Sequence, residues 1–142
     1  MRSLVVAIAA AATLAGCEQA QLGVEDAWVR LPAVSSRPGA AYFTVKGGAE
    51  ATSLLGVSSP AAVRTELHEM KREGGMMTMA PIKDVAIAAG STVKFEPGGK
   101  HTMLYDLSPE LRAGGKIPLR LAFANGKTIE VEAELRAPGQ EK

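Results

Sequence analysis

The sequence predicts an all-β domain, a sandwich or Greek-key barrel, because short alternating segments recur between turn residues along most of the chain. The 142 residues leave room for one domain, and the 15 glycines and 8 prolines favour many short strands over long helices. Aromatic residues make up only 4% of the chain, so we expect an aliphatic core. The 16 basic residues balance 15 acidic ones, which argues against nucleic-acid binding, since that usually needs a clustered basic excess.

The first residues have the pattern of a secretion signal. Arg2 supplies the positive start, and the apolar run Leu4–Leu14 is too short to span a bilayer. Residues 14–17, Leu-Ala-Gly-Cys, resemble the lipobox of bacterial lipoproteins, in which cleavage leaves the cysteine first and a lipid joins its sulfur. We therefore predict lipidation at Cys17, the only cysteine, and a location in the periplasm or cell envelope with a lipid anchor in the membrane. An ordinary signal peptide with an incidental cysteine is the alternative.

This pattern divides the chain into four segments. The signal peptide covers residues 1–16, and a short lipid-anchored tether covers residues 17–24. The β domain covers residues 25–136, and a flexible tail covers residues 137–142.

The predicted strands are bounded by turn residues such as Pro38-Gly39 and Gly74-Gly75. In chain order they are Ala27–Leu31, Ala41–Lys46, Ser53–Val57, Thr65–Met70, Met76–Met79, Val85–Ile87, Thr92–Phe95, Met103–Leu107, Leu119–Phe123 and Ile129–Leu135. Ser108–Arg112 is a candidate for a single helical turn.

The last two strands show the clearest alternation of apolar and charged residues, and Asn125-Gly126 lies between them. Asn-Gly between alternating segments is the strongest short hairpin signal, because both residues of a two-residue turn must take positive φ. One face of this hairpin is apolar and the other is charged, as expected where one face of a sheet meets solvent.

The candidate chemistry is confined to residues 68–103, which hold both histidines and every methionine except the initiator. His68 and Met70 are two residues apart, and so are His101 and Met103. In a strand, residues i and i+2 point to the same face with Cα atoms about 6.5–7 Å apart. Each pair would therefore present one imidazole beside one thioether.

Met77 and Met79 form a similar pair on the segment between the two histidines. Soft thioethers select Cu(I) and imidazole also suits copper, whereas Mg²⁺ and Ca²⁺ prefer oxygen ligands. Structural zinc sites usually include thiolates or several histidines. A methionine alone is most often a core residue, so the metal hypothesis depends on the joint pattern.

Catalytic motifs are absent from the sequence. Gly126-Lys127-Thr128 lacks the first glycine of a P-loop, and Ser58-Ser59 lacks the glycines of a nucleophile elbow. Trp28 is most simply a core residue and Arg30 a surface or strand-end residue. We therefore predict no catalytic residue and no enzymatic activity.

The set His68, Met79, His101 and Met103 has the spacing His, ten residues, Met, twenty-one residues, His-x-Met. In this motif, over about residues 27–135, the chain resembles the PCuAC periplasmic copper chaperones. The resemblance implies a cupredoxin-like fold and one Cu(I) per chain held by these four residues. It also implies delivery of copper to the copper subunit of cytochrome c oxidase, chiefly its Cu(A) centre, with Sco-type copper proteins as partners.

The chain departs from this family in two places. Some members carry a His- and Met-rich C-terminal extension with a second copper site, but residues 137–142 contain neither residue, so we expect one site. The family usually has Ile-Pro-Ala-Gly where this chain has Ile87-Ala88-Ala89-Gly90, a change that affects a turn. Outside the motif, Met70 and Met77 are candidate auxiliary ligands; they and Met76 either serve transfer or pack the domain.

Three other functions stay open at this point. A copper-buffering or resistance lipoprotein would have the same site but no oxidase client. A blue-copper electron-transfer protein would need a thiolate ligand, and Cys17 lies outside the predicted domain. A structural lipoprotein would bind no copper at all.

Overall fold

Ten strands make up the regular structure of the computed structural model, which describes residue 16 and residues 19–140. Within these residues, no helix has the length and hydropathy needed to cross a membrane. The strands are β1 Gly23–Arg30, β2 Gly39–Lys46, β3 Thr52–Ser58, β4 Arg64–Glu73, β5 Met76–Pro81, β6 Val85–Ile87, β7 Thr92–Phe95, β8 Lys100–Tyr105, β9 Lys116–Phe123 and β10 Thr128–Arg136.

Every predicted strand is present, which confirms the all-β prediction, but several boundaries differ. β1 begins at Gly23, inside the tether predicted over residues 17–24. β8 begins at Lys100 rather than Met103, because its first residues pair with β4. Of the predicted signal peptide only residue 16 is described, and Cys17 also lies outside the described residues.

One predicted feature of the second half of the chain takes a different form. Residues 108–112 form turns rather than a helical turn, and the Leu111 amide donates to the Ser108 carbonyl at 3.3 Å. Residues 137–140 also close a turn, in which the Gln140 amide donates to the Ala137 carbonyl at 3.0 Å. In both segments a β-turn forms a hydrogen bond between residues i and i+3 without a helix.

The strands form one continuous sheet in the order β5-β4-β8-β2-β1-β10-β9-β3-β6, with β7 also paired to β2. β1 and β10 are parallel, and all the other pairs are antiparallel. The Thr65 hydroxyl on β4 donates to the Val57 carbonyl on β3, although these strands are far apart in the sheet order. The sheet therefore curls over on itself and encloses a single core.

The core is mainly aliphatic, as the composition predicts, with Phe43 stacked on Phe95 at a centroid distance of 4.4 Å. β9 shows the alternation most clearly, because every second residue from Ile117 to Phe123 is buried. The neighbouring strand β10 buries Ala133 and Leu135 and exposes its glutamates. The apolar and charged faces predicted for this hairpin are confirmed.

The turn of this hairpin differs from the two-residue turn that the Asn-Gly pair predicts. Only Gly126 has a positive φ, at 83°, and its amide donates to the Phe123 carbonyl at 3.0 Å. The Asn125 side chain accepts a hydrogen bond from the Lys127 amide at 3.0 Å. This arrangement needs one left-handed residue instead of two, because Asn125 stabilises the turn through its side chain.

The departure from the family at Ala88 leaves its turn closed. The Ser91 amide donates to the Ala88 carbonyl at 3.1 Å, and Gly90 takes a left-handed φ of 65°. Gly47 packs against this turn so closely that a Cβ there would lie 2.3 Å from the Ala88 carbonyl oxygen. Backbone contacts therefore hold this turn without a proline.

We expect Leu119→Ala to lower the free energy of unfolding by about 2–5 kcal/mol, because Leu119 is fully buried and alanine would leave a cavity. Urea unfolding of the full-length chain, followed by the fluorescence of Trp28, would measure the change. The control is Leu55→Ala, at a half-exposed position on β3, with an expected effect of roughly 0.5 kcal/mol or less. Equal effects of the two substitutions would contradict the assigned core.

Candidate metal centre

Two adjacent strands bring the two histidines together. His68 on β4 lies directly opposite His101 on β8, and their ring centroids are 5.7 Å apart. Met103 follows His101 by two residues, and Met70 follows His68 by two, so alternation places both thioethers on the face of the imidazoles. The two His-x-Met pairs predicted from the sequence therefore share one face of the sheet.

Met79 reaches this face from β5, where it pairs with Met70 across the β4–β5 hairpin. A groove of about 460 Å³ opens beside it, and Met70, Met79, His101 and Met103 line one side. The opposite side comes mainly from the segment between β1 and β2, including Pro32 and Arg37. Three of the four motif residues therefore line this groove, and the fourth, His68, is buried beside His101.

Hydrogen bonds assign a proton to one nitrogen of each imidazole. His68 Nε2 lies 2.9 Å from the Glu66 carboxylate, and His101 Nδ1 lies 3.2 Å from the Gly99 carbonyl. Both partners are acceptors, so each of these nitrogens carries the hydrogen and donates it. The other nitrogens, His68 Nδ1 and His101 Nε2, are left with free lone pairs.

These two lone pairs have no partner among the residues that the structure describes. Among the described residues only three buried side-chain polar atoms lack a hydrogen-bond partner, and two of them are His68 Nδ1 and His101 Nε2. The residues are only 8% and 5% exposed, so water does not readily replace the missing partner. A ligating histidine typically has this pattern, with its second nitrogen donating to a carboxylate or a carbonyl.

Glu66 is held in place from two further directions. Its carboxylate accepts a hydrogen bond from the Tyr105 hydroxyl at 3.2 Å and pairs with the Arg64 guanidinium. Arg64 also lies over the Tyr105 ring, 3.8 Å from its centroid. These contacts fix the orientation of the carboxylate, and the carboxylate fixes the ring of His68.

Burial, hydrogen bonds and nearby charges shift the pKa values of Glu66, His101 and Tyr105. The hydrogen bond from His68, followed by the charge of Arg64, holds the pKa of Glu66 below its usual value despite some desolvation. Burial lowers the pKa of His101, and the Gly99 carbonyl offsets part of that effect. Burial and then the charge of Glu66 raise the pKa of Tyr105. At neutral pH, His101 is therefore neutral with an available lone pair, and Glu66 is ionised.

Aromatic rings continue from the imidazoles toward β1. The Tyr42 ring lies 6.4 Å from the His101 ring, and the Trp28 ring lies 4.5 Å from that of Tyr42. Arg30 lies over Tyr42 and also lines the groove. Trp28 is therefore not the core residue that the sequence predicts: it is partly exposed, and the Tyr42 ring separates it from His101. Arg30 is a strand-end residue at the groove, as its position in the sequence indicates.

The remaining methionines lie farther out on the hairpin. Met77 is on the same face of β5 as Met79 but outside the groove, and Met76 is on the opposite face nearer the hairpin turn. The described residues include no cluster of three or more His, Cys, Asp or Glu side chains. The Glu66 carboxylate on this face already contacts His68, Tyr105 and Arg64. The remaining donors are two imidazoles and several thioethers, a set that suits a soft monovalent metal.

The sequence pattern did not single out Glu66, Gly99 or Tyr105, although each takes part in the hydrogen bonds behind the two imidazoles. Glu66 precedes His68 by two residues, so alternation alone places it on the face of the imidazole. Tyr105 could be found only from the register of β4 against β8, whereas Gly99 precedes His101 by two residues and its contact is local.

We expect Glu66→Ala to weaken metal binding about 10–100-fold, the usual cost of losing a carboxylate behind a ligating histidine. Cu(I) competition against a chromophoric chelator would measure it on the full-length chain. Glu69→Ala is the matched control, because Glu69 is the neighbouring carboxylate on the other face, paired with Lys100 at 3.2 Å. A loss for Glu69→Ala as large as that for Glu66→Ala would contradict the role of Glu66.

Solved structures with similar folds are copper-binding domains. The copper-bound PCuAC domain from PmoF2 matches with a TM-score of 0.68 at 22% identity, over 85% of this chain and 99% of that domain. The solution structure of CuI-DR1885 from Deinococcus radiodurans matches with a TM-score of 0.71 at 27% identity, over 92% of this chain and 89% of that one. These matches confirm the predicted all-β fold and show that the chain shares the cupredoxin-like fold of PCuAC domains.

Sequence comparisons identify the family of the chain. The family model described as "Putative lipoprotein LpqE-like" matches residues 22–135, so the chain belongs to the LpqE-like family. A relative from Leifsonia xyli subsp. xyli, "Putative lipoprotein Lxx21020", is 36% identical over 92% of this chain and 79% of its own length.

Proposed function

We propose that the protein is an extracytoplasmic metallochaperone that binds one Cu(I) through His68, Met79, His101 and Met103. One observation carries the proposal: His68 Nδ1 and His101 Nε2 are buried without partners, on the face that also holds both thioethers. The copper in a matched PCuAC domain and the Cu(I) in DR1885 support the choice of metal.

The donor set explains why the ion would be Cu(I) and would be released to a partner. Two neutral imidazoles and two thioethers leave the ion with its single positive charge, so the site does not have to bury a divalent cation. Such ligands bind less firmly than thiolates, and a thiolate on a partner can replace them without releasing free copper. We propose this ligand exchange as the mechanism, and we propose no catalytic activity.

Exposure suggests the order of exchange. Met79 is 49% exposed on an edge strand, whereas both histidines are buried and held by hydrogen bonds. A partner ligand can therefore displace the Met79 thioether first, while the imidazoles still hold the ion. The histidines would leave the copper last.

The envelope location is part of the same proposal. The family description and the relative from Leifsonia both denote lipoproteins, and the pattern around Cys17 fits lipidation there. A lipid anchor would hold the domain near membrane-bound clients, on a tether that ends where β1 begins at Gly23. Labelling of the cells with a clickable fatty acid, followed by comparison with Cys17→Ser, tests this point.

For the client we propose the copper subunit of cytochrome c oxidase, with a Sco-type protein acting alongside, as the motif resemblance implies. The alternative is copper buffering without an oxidase client. Deletion of the gene separates them: loss of oxidase activity at limiting copper, restored by added copper, supports delivery. Copper sensitivity with normal oxidase activity would instead support buffering and contradict delivery. Complementation with His101→Ala/Met103→Leu is the control, and it is expected to fail.

A further inference from the structure

Methionines dominate the exposed apolar surface of the β4–β5 hairpin. Among the described residues six large hydrophobic side chains are exposed, and three of them, Met76, Met77 and Met79, are on the six-residue strand β5. β5 is an edge strand of the sheet. A methionine that fills a core is buried, so packing does not account for this concentration.

Strand geometry sorts these side chains into two groups. Met77 and Met79 are two residues apart and share one face, and Met70 joins them because it pairs directly with Met79. Directly opposed Cβ atoms lie about 4.5–5.5 Å apart, and Met77 and Met79 have Cα atoms about 6.5–7 Å apart. Three flexible thioethers at these separations can direct their sulfur atoms at one point. Met76 points to the opposite face.

We propose that Met70, Met77 and Met79 form an outer binding position for Cu(I), beside the inner position at the two histidines. This inference rests on the proposed function and extends it to the loading of the ion. Met79 belongs to both positions, so they are alternatives and the chain still holds one copper. The ion would reach the exposed thioethers first and then pass inward by exchanging Met70 and Met77 for the imidazoles and Met103.

Charges along the hairpin favour inward movement. Arg72 pairs with Met77 on the same face of the hairpin, so a cation at the outer position lies near a positive side chain. At the inner end the Glu66 carboxylate accepts a hydrogen bond from His68 Nε2 at 2.9 Å, so the histidine next to the ion has an acidic partner. The outer position is therefore the weaker of the two and would be occupied in passing.

The test uses the full-length chain with ¹³C-methyl-labelled methionines and Cu(I) under reducing conditions. In His101→Ala/Met103→Leu, which lacks half of the inner ligands, we expect weak residual binding that shifts the methyl signals of Met70, Met77 and Met79. Adding Met77→Leu should weaken this residual binding about tenfold or more. Met76→Leu is the matched control, because it removes a neighbouring thioether from the other face, and it should leave the residual binding unchanged.

A second measurement keeps the test valid if the double variant fails to fold. In the otherwise unchanged chain, Met77→Leu should slow copper loading from a chelator at least threefold and leave the equilibrium affinity unchanged. An unchanged loading rate would overturn the outer position, and so would residual binding that is absent or insensitive to Met77→Leu. In those cases tight binding by the parent chain would leave the proposed function standing. A parent chain that binds no Cu(I) would overturn both.

Discussion

His101→Ala/Met103→Leu is expected to lower the Cu(I) affinity of the full-length chain by more than about 100-fold. Loss of a residue that only supports a metal ligand costs about 10–100-fold, and this variant removes two ligands directly. It deletes the unpartnered Nε2 of His101 and the adjacent thioether, while His68 and Met79 remain. Competition against a chromophoric Cu(I) chelator, with the parent chain in parallel, gives the ratio of affinities.

The control for this loss is Met76→Leu, which also replaces a thioether by a side chain of similar volume. Met76 lies on the face of β5 that points away from the histidines, so its replacement should leave the affinity unchanged. Urea unfolding followed by Trp28 fluorescence would establish that both variants are folded. Equal affinity of the double variant and the parent would exclude these two residues as ligands.

Acid is expected to weaken Cu(I) binding, with the decline beginning below the pKa of a free imidazole, about 6.5. Protons and copper compete for the same nitrogen lone pairs, so affinity falls once the pH drops below the pKa of a ligating histidine. Burial lowers the pKa of His101, so a proton competes for its Nε2 only at a lower pH than for an exposed histidine. At most two protons are displaced per copper, so the steepest decline is about 100-fold per pH unit.

A competition series between pH 8 and pH 5 would measure this dependence, with chelator affinities corrected for pH. Binding that is nearly constant above pH 7 and falls steeply toward pH 5 is the expected result. His101→Ala should flatten the acidic part of the curve, because one of the two competing protons is then absent. A parent curve that stays flat down to pH 5 would show that imidazoles do not bind the ion.

His101 also makes the free energy of unfolding of the metal-free protein depend on pH. Because the pKa of His101 is lower in the folded state, the unfolded chain binds more protons between that lowered pKa and about 6.5. The free energy of unfolding therefore decreases as the pH falls through this interval. Copper should protect the folded chain at neutral pH and lose this effect as the ligands become protonated.

The fold was largely predictable because its strands obey simple rules of alternation. β9 and β10 could be located from their period-2 pattern, and their partly solvated faces follow from the alternating glutamates. The start of β8 was misplaced because Lys100 and His101 are polar residues directly after a Gly-Gly turn. These residues extend the strand only because β4 pairs with them across the sheet, and one sequence contains no direct sign of that pairing.

The candidate site was predictable as a set of residue types but not as an arrangement. Spacing singled out the His-x-Met pairs His68/Met70 and His101/Met103, which place both side chains on one face of a strand. The choice of Met79 as the fourth ligand came only from the resemblance to the PCuAC motif. The opposition of His68 and His101 depends on the register between β4 and β8. Which nitrogen of each imidazole keeps a free lone pair depends on hydrogen bonds to Glu66 and the Gly99 carbonyl, which are fixed by tertiary structure.

The Asn125-Gly126 turn shows the same limit on a smaller scale. The pair predicted a hairpin correctly, but the turn type depends on whether the Asn125 side chain can reach the Lys127 amide. That contact is local, but a turn with two left-handed residues has a similar energy and competes with the observed turn. Turn positions are therefore easier to predict than turn geometry.

The most direct test of the proposed copper site is the ¹⁵N NMR spectrum of the imidazoles in the full-length chain, with and without one equivalent of Cu(I). We predict that His68 Nδ1 and His101 Nε2 shift on binding, because these are the two unpartnered nitrogens. His68 Nε2 and His101 Nδ1 should stay protonated and hydrogen-bonded. Copper uptake that leaves both imidazoles unchanged, or no uptake at all, would contradict the site.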